Sequence, residues 1–208
     1  MDILSTLFGT ALRVKMMRLF LFNPLTPFDF EQLEQKMSVK PREIKDEIVF
    51  LRKLGLAKQI KIAKVLTIKK GKKEITKKAK VAAWVLDPKF TYNDALTDFL
   101  VKTHSVENRE IVKKLEKAGK LKMVLVSGIF TRNTEARLDM FVVADNIKGA
   151  SMDRIVKSIE SDMGKDIRYA VLSAPDFAYR KSMNDKLIRD VLDFPHRVLL
   201  DRIGVSAQ

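Results

Sequence analysis

Residues 58–80 read KQIKIAKVLTIKKGKKEITKKAK. Ten lysines (58, 61, 64, 69, 70, 72, 73, 77, 78 and 80) stand against one acid, Glu74. That is a net of +9 in a chain whose formal net charge is +14. Ile60, Ile62, Val65, Leu66, Ile68 and Ile75 are interleaved with the lysines. β-Branched residues between charges, broken by Lys70-Gly71-Lys72, predict two strands joined by a tight turn. A hairpin dense in lysine suits a polyanion. A basic face kept only for solubility accounts for net charge, but not for this clustering.

Upstream of the hairpin, the spacing predicts three helices. Ile3, Leu4, Leu7, Phe8, Ala11, Leu12, Met16, Leu19 and Phe20 recur at helical intervals over 3–22, and Asn23-Pro24 ends that run. A short helix fits 29–36, with Asp29 as N-cap ahead of Phe30, Leu33 and Met37. Ser38-Val39-Lys40 forms a compact turn. Pro41 suits the first turn of a third helix, which runs to Leu54 and is stopped by Gly55. Ile44, Ile48, Leu51 and Leu54 make its inner stripe, leaving Lys40, Arg42, Glu43, Lys45 and Asp46 toward solvent. Glu43, Asp46 and Glu47 are near enough to pair with Arg42 or Lys45. Downstream, Ala82-Ala83-Trp84-Val85-Leu86 reads as a buried return strand.

The 208 residues suffice for two small cores, and 46% hydrophobic content argues against disorder. Residues 1–90 hold 20 Lys/Arg against 9 Asp/Glu, and residues 91–208 hold 20 against 17. This asymmetry predicts a basic binding module joined to a more neutral domain, with nucleic acid as the first partner class and an anionic membrane surface as the second. The chain has no cysteine, which excludes disulfides and thiolate metal sites. Its two histidines, His104 and His196, lie far apart, so neither a zinc site nor a Ser-His-Asp triad is expected, and no metal is assigned. The start, MDILSTLFGTALRVK, lacks a signal-peptide pattern, and no apolar run is long enough to span a bilayer. A cytoplasmic protein with no membrane partner is the expectation.

The order of three helices, a short turn and a basic hairpin resembles the N-terminal winged helix-turn-helix of small prokaryotic transcriptional regulators. The likeness is carried by FGTALRVKMMRLFLFNP (8–24), FEQLEQKMSVKPREIKDEIVFLRKLGLAK (30–58) and the hairpin. It implies that the third helix enters the major groove of duplex DNA and that the hairpin wing touches phosphates or the minor groove. Lys40, Arg42 and Lys45 would then face DNA, with Lys69, Lys70, Lys72 and Lys73 on the wing. The chemistry agrees, since Arg reads guanine edges bidentately and Lys supplies point charge to phosphates.

Residues 91–104 read as a linker helix carrying Tyr92, Leu96, Phe99 and Leu100, and Ser105 could cap a helix over 106–118 ended by Gly119. From Leu121 strands alternate with helices. Strands are expected at 121–128, 137–143, 166–173 and 196–201, and helices at 151–162 and 184–192, with a turn at Ala174-Pro175. His196 is expected to be structural.

This second region resembles the minimal nucleotidyltransferase fold related to DNA polymerase beta. That fold carries a Gly-Ser turn and, about a dozen residues on, a strand with an Asp-x-Asp pair that holds divalent metal. Here the turn reads Ser127-Gly128, reversed. Asp139 aligns with one aspartate of the pair, and the other position holds Arg137 or Phe141. The stretch matching the family's third carboxylate, IRYAVLS (167–173), has none; Asp145 reads as a turn residue and Asp166 precedes its strand. The resemblance therefore implies a fold that has lost its catalysis. Asp139, Ser127 and Gly128 would be relics, with Asp139 paired to Arg137 or Arg132. A phosphate-binding turn of Ser127, Gly128, Thr131 and Arg132 remains open to a nucleotide effector, and no other cofactor is implied.

The expected architecture is an α+β or α/β protein of two domains: a winged helix-turn-helix over 1–90, a linker helix over 91–104, and a nucleotidyltransferase-like mixed sheet with flanking helices over 105–208. The expected function is a transcriptional regulator that binds double-stranded DNA as a homodimer, its second domain serving dimerisation or ligand sensing. Two alternatives stay open: an active metal-dependent nucleotidyltransferase of toxin–antitoxin type, and an RNA-binding protein that uses the lysine hairpin.

Overall fold

The computed structural model describes residues 3–70, 73–102, 108–131, 133 and 135–205. It is a mixed α+β structure with two sheets and two compact units. One unit comprises Met1–His104 with Ser161–Lys165, and the other comprises Ser105–Glu160 with Asp166–Gln208. Among the described residues no helix is long and apolar enough to cross a membrane.

The first unit begins with α1 (Ile3–Phe8) and α2 (Ala11–Phe22) rather than one helix over 3–22. Gly9 takes a left-handed φ of 92°, and Thr10 then caps α2 by accepting the Arg13 N–H at 3.0 Å. A glycine beside a capping threonine breaks the run although the apolar spacing continues through it. β1 (Phe28–Asp29) leads into α3 (Phe30–Met37), where Asp29 and Gln32 form a reciprocal capping box. Ser38 turns the chain in the left-handed region, at φ 55°. α4 (Pro41–Leu54) then starts on Pro41 and ends where Gly55 adopts φ 83°. Ile44, Ile48 and Leu51 are buried as expected, but Leu54 is 43% exposed, because it falls in the last turn beyond the core.

β2 (Ala57–Lys70) and β3 (Lys73–Leu86) pair antiparallel without interruption, from Ala57 opposite Leu86 to Lys70 opposite Lys73. The connecting Gly71-Lys72 lies outside the described residues. β1 pairs with the base of β3, giving the order β1-β3-β2. Trp84 lies on the return strand opposite Phe28 and Gln59, but it is half-buried rather than fully enclosed. The expected linker helix is instead α5 (Asn93–Thr97) followed by a π-turn over Asp98–Lys102. Its Leu100 is fully buried in the first unit's core, alongside Phe20, Leu33 and Leu51.

The second unit contains α6 (Asn108–Leu115), β4 (Lys120–Val126), a 3-10 turn (Gly128–Phe130) and β5 (Met140–Asp145). α7 (Gly149–Met163, its last residues from Ser161 counted with the first unit), β6 (Tyr169–Leu172), α8 (Ala174–Ser182), α9 (Lys186–Asp193) and β7 (Arg197–Asp201) follow. Position 105, the expected cap of α6, lies outside the described residues. The sheet order is β6-β5-β4-β7, with β5 and β6 parallel and the other pairs antiparallel. Ala174-Pro175 opens a helix, not a turn. Ser173 accepts the Asp176 N–H, and Pro175 sits in the first turn, where its missing N–H costs no hydrogen bond. Asp145 is the last residue of β5 and accepts the Ala174 N–H at 3.2 Å, so it is a strand residue rather than a turn residue.

Candidate nucleic-acid interface

α4 is mounted by a charged clamp at its rear. Arg13 meets Glu47 bidentately, at 2.9 Å from Nε and 3.0 Å from Nη2, and the Thr10 hydroxyl donates to the same carboxylate at 3.2 Å. The Arg13 guanidinium also stacks 3.6 Å from the centroid of the Phe50 ring. Glu47 is only 7% exposed, so this acid is occupied at the core and does not pair with Arg42 or Lys45.

Residues 42, 45, 49 and 52 lie within one helical stripe on the outer side. Arg42, Lys45, Val49 and Arg52 are all exposed there, as is Lys40 at the N-cap. Lys40, Arg42, Lys45 and Arg52 have no carboxylate partner among the described residues; Lys45 rests 5.5 Å from the Phe30 ring centroid instead. Arg52 extends the stripe beyond the sequence-based set. Its signal in the sequence is the i, i+4 and i+7 spacing of Lys45, Val49 and Arg52.

The hairpin register sorts its lysines by face. Residues directly opposite in an antiparallel pair share a face, and alternate residues along a strand do too. Val65 opposite Lys78, Ala63 opposite Lys80 and Lys61 opposite Ala82 therefore share one exposed face with three cations. Lys64 belongs to the other face and points inward, 2.6 Å from Asp29 Oδ2 and 2.7 Å from Glu31 Oε2. Burial pushes the Asp29 carboxyl up, but Lys64 and the N–H groups of Gln32 and Glu31 outweigh it and hold Asp29 below 3.8. Hydrogen bonds to the Asp29 and Glu31 carboxylates raise Lys64. Lys64 is thus a clip from hairpin to helix cap. Lys69, Lys70 and Lys73 lie on the paired strands, but their side chains, like all of Lys72, fall outside the described set.

In the second unit the expected relics form a closed knot. Asp139, 1% exposed, precedes β5 rather than lying on it. Its carboxylate accepts from Ile129 N at 3.0 Å, from Arg168 N at 2.9 Å, and from Arg168 Nε and Nη2 at 3.0 Å each. The partner is therefore Arg168, not Arg137, which pairs with Asp190 at 3.0 Å; Arg132 lies outside the described residues. Arg168 wins because it stands beside Asp139 in the backbone, where Asp139 N donates to Arg168 O at 2.7 Å. Burial would raise the Asp139 carboxyl, but Arg168 and the two backbone donors hold it below 3.8.

Most of the turn's donors are satisfied internally. Ser127 N donates to Asp139 O, Phe130 N to Ser127 O, and both Thr131 N and Asn133 N to Gly128 O. The Ser127 hydroxyl donates to Leu138 O, and the Thr131 hydroxyl donates to Gly128 O at 3.4 Å. A Cβ on Gly128 would lie 2.0 Å from Asp139 Oδ1, so glycine admits the carboxylate. Among the described residues no three His, Asp or Glu side chains gather as a metal site. His196 meets Phe194 O at 2.9 Å. Compared with protein-family models, curated proteins and solved structures, the chain matches none.

Proposed function

We propose that this protein is a DNA-binding transcriptional regulator whose first unit acts as a winged helix, with α4 as the reading helix and the β2–β3 hairpin as the wing. The observation that carries the reading is the exposed stripe of Arg42, Lys45 and Arg52 on α4, cations without carboxylate partners among the described residues. Buried or clamped cations hold a fold together, whereas exposed unpaired ones on a rigid helix are available to phosphates and base edges. The hairpin face of Lys61, Lys78 and Lys80 adds sequence-independent attraction.

The second unit is read as a dimerisation or sensing module without catalysis. The Asp139–Arg168 ion pair and the inward hydrogen bonds of the Ser127–Thr131 turn support this reading. They also weigh against a nucleotide at that turn, because the backbone donors of Ser127, Ile129, Phe130 and Thr131 already have acceptors.

The test is selection from a random duplex DNA pool at near-physiological salt, with wild type beside Arg42→Ala. Enrichment of a defined site by the wild type and its loss in the variant is the expected result. Retention of DNA with no motif would leave α4 as a general anion grip and favour the RNA-binding alternative.

A further inference from the structure

A groove of about 590 Å³ opens in the first unit between α4, the start of α3 and the hairpin. Ile48 and Val49 of α4, Phe30 of α3, and Ala82 and Trp84 of β3 give it an apolar lining. This size lies within the usual range of small-molecule pockets. Five charged residues line it: Lys45, Arg52, Lys64, Asp29 and Glu31. Lys64 binds both acids, at 2.6 and 2.7 Å. That cluster is closed on itself and leaves Lys45 and Arg52 as the cations without carboxylate partners among the described residues. Three cations against two acids give the lining a net charge of +1. One further polar group is unsatisfied. The Trp84 indole Nε1–H is buried with no acceptor among the described residues, and the Trp84 side chain lines the groove.

We infer that this groove is a binding site for a small aromatic monocarboxylate. Phe30 and Trp84 supply rings for apolar contact, and Ile48 and Val49 enclose a flat hydrocarbon body. A carboxylate supplies the acceptors that the exposed Lys45 ammonium and Arg52 guanidinium lack among the described residues. A single negative charge matches the net charge of the lining. A phosphate-rich ligand brings more charge than the lining offsets, and a neutral hydrocarbon offers no acceptor to Lys45 and Arg52. The binding claim stands on the groove alone. Its regulatory consequence rests on the DNA reading above: a ligand carboxylate held by Lys45 and Arg52 neutralises two members of the α4 stripe and weakens DNA binding.

Trp84 is the only tryptophan in the chain, so the full-length protein gives one indole N–H cross-peak in a ¹H–¹⁵N spectrum. Naphthoate and its neutral amide, naphthamide, serve as probes, with affinities measured by calorimetry. The expected result is a saturable shift of the indole peak by naphthoate and an affinity about tenfold or more above that of naphthamide, the step a charge-assisted hydrogen bond supplies. Joint replacement Lys45→Gln and Arg52→Gln, both exposed, should erase the preference for the acid. Ala82→Leu, which fills the groove, should abolish binding of both probes while the melting curve holds. An indole peak unmoved through the titration overturns the site, as does equal affinity for acid and amide. So does undiminished binding in a folded Ala82→Leu protein. Ligand binding that proceeds normally in a protein with no DNA preference leaves the site standing and removes only the regulator reading.

Discussion

The α4 stripe and the Asp139 knot both place charge where the sequence points to function, and they differ in what remains available. Asp139 has four hydrogen bonds to its carboxylate and is 1% exposed. Arg42, Lys45 and Arg52 are exposed and have no carboxylate partner among the described residues. A charge whose hydrogen-bonding capacity is filled by its own chain stabilises that chain. A charge with open capacity is offered to something else. Similar residue types thus have opposite meanings in the two units.

The sharpest way to break this contrast is to remove the knot. Asp139→Ala leaves the backbone donors of Ile129 and Arg168 without that acceptor and removes an ion pair whose carboxylate is buried while its guanidinium is half exposed. We expect about 1–3 kcal/mol of destabilisation for each of the two backbone donors left without its acceptor, read by urea unfolding. A variant as stable as wild type would show that Asp139 is not structural, and the metal-binding reading would regain ground. The linkage has a definite sign. The folded carboxyl sits below 3.8, so its contribution is present above that pH and is lost as pH falls through the folded value. Wild type should therefore lose stability on acidification in that window, and Asp139→Asn should lose less.

The rear clamp is the next test, because it holds the open stripe in place without belonging to it. Glu47→Ala removes a partly buried bidentate partner of Arg13 and the acceptor of the Thr10 hydroxyl. A loss of about 2–3 kcal/mol is expected in the first unit, between the values for exposed and buried pairs. Thermal unfolding followed by the single tryptophan reads it, since Trp84 packs against that unit's core. Arg42→Ala should do the reverse. Stability should hold within about 0.5 kcal/mol, as for an exposed substitution, while affinity for a selected duplex falls by about 1–3 kcal/mol. If Arg42→Ala changes only stability, the stripe is no more open than the clamp.

Whether a charge is open or filled was only partly legible in the sequence. Helix ends were, because their causes are local: Asp29 with Gln32, Pro41 and Gly55 lie within a turn of the boundary they set. The break at Gly9 is not legible because apolar spacing runs through it, and α8 is not because Ala174-Pro175 reads as a turn although Pro175 sits in a helix's first turn. Long-range pairing was the real obstacle. Arg168 lies 29 residues from Asp139, and Lys64 lies 33 from Glu31. Nothing in the lysine run distinguishes Lys64 from its neighbours until the register turns it away from the face of Lys61, Lys78 and Lys80.

That last distinction yields the smallest and most discriminating effect. Lys64 and Lys78 are the same residue type on one hairpin, but Lys64 has two carboxylates within 2.7 Å while Lys78 is exposed on the opposite face. Lys78→Ala should leave the melting curve unchanged and reduce the salt dependence of DNA binding, the log–log slope falling by about 0.9 per lost phosphate contact. Lys64→Ala should leave that slope unchanged and cost up to about 1 kcal/mol of stability, the upper value for a solvent-accessible pair. Asp29 loses its neighbouring cation, so the loss of stability on acidification should be smaller in the Lys64 variant, because the gap between the folded and unfolded carboxyl narrows. Its carboxyl, now held low by Lys64, moves up toward the ordinary range and protonates at higher pH. Equal slopes for the two variants would mean that Lys64 leaves its carboxylates to meet DNA, and the face assignment of the hairpin would have to be redrawn.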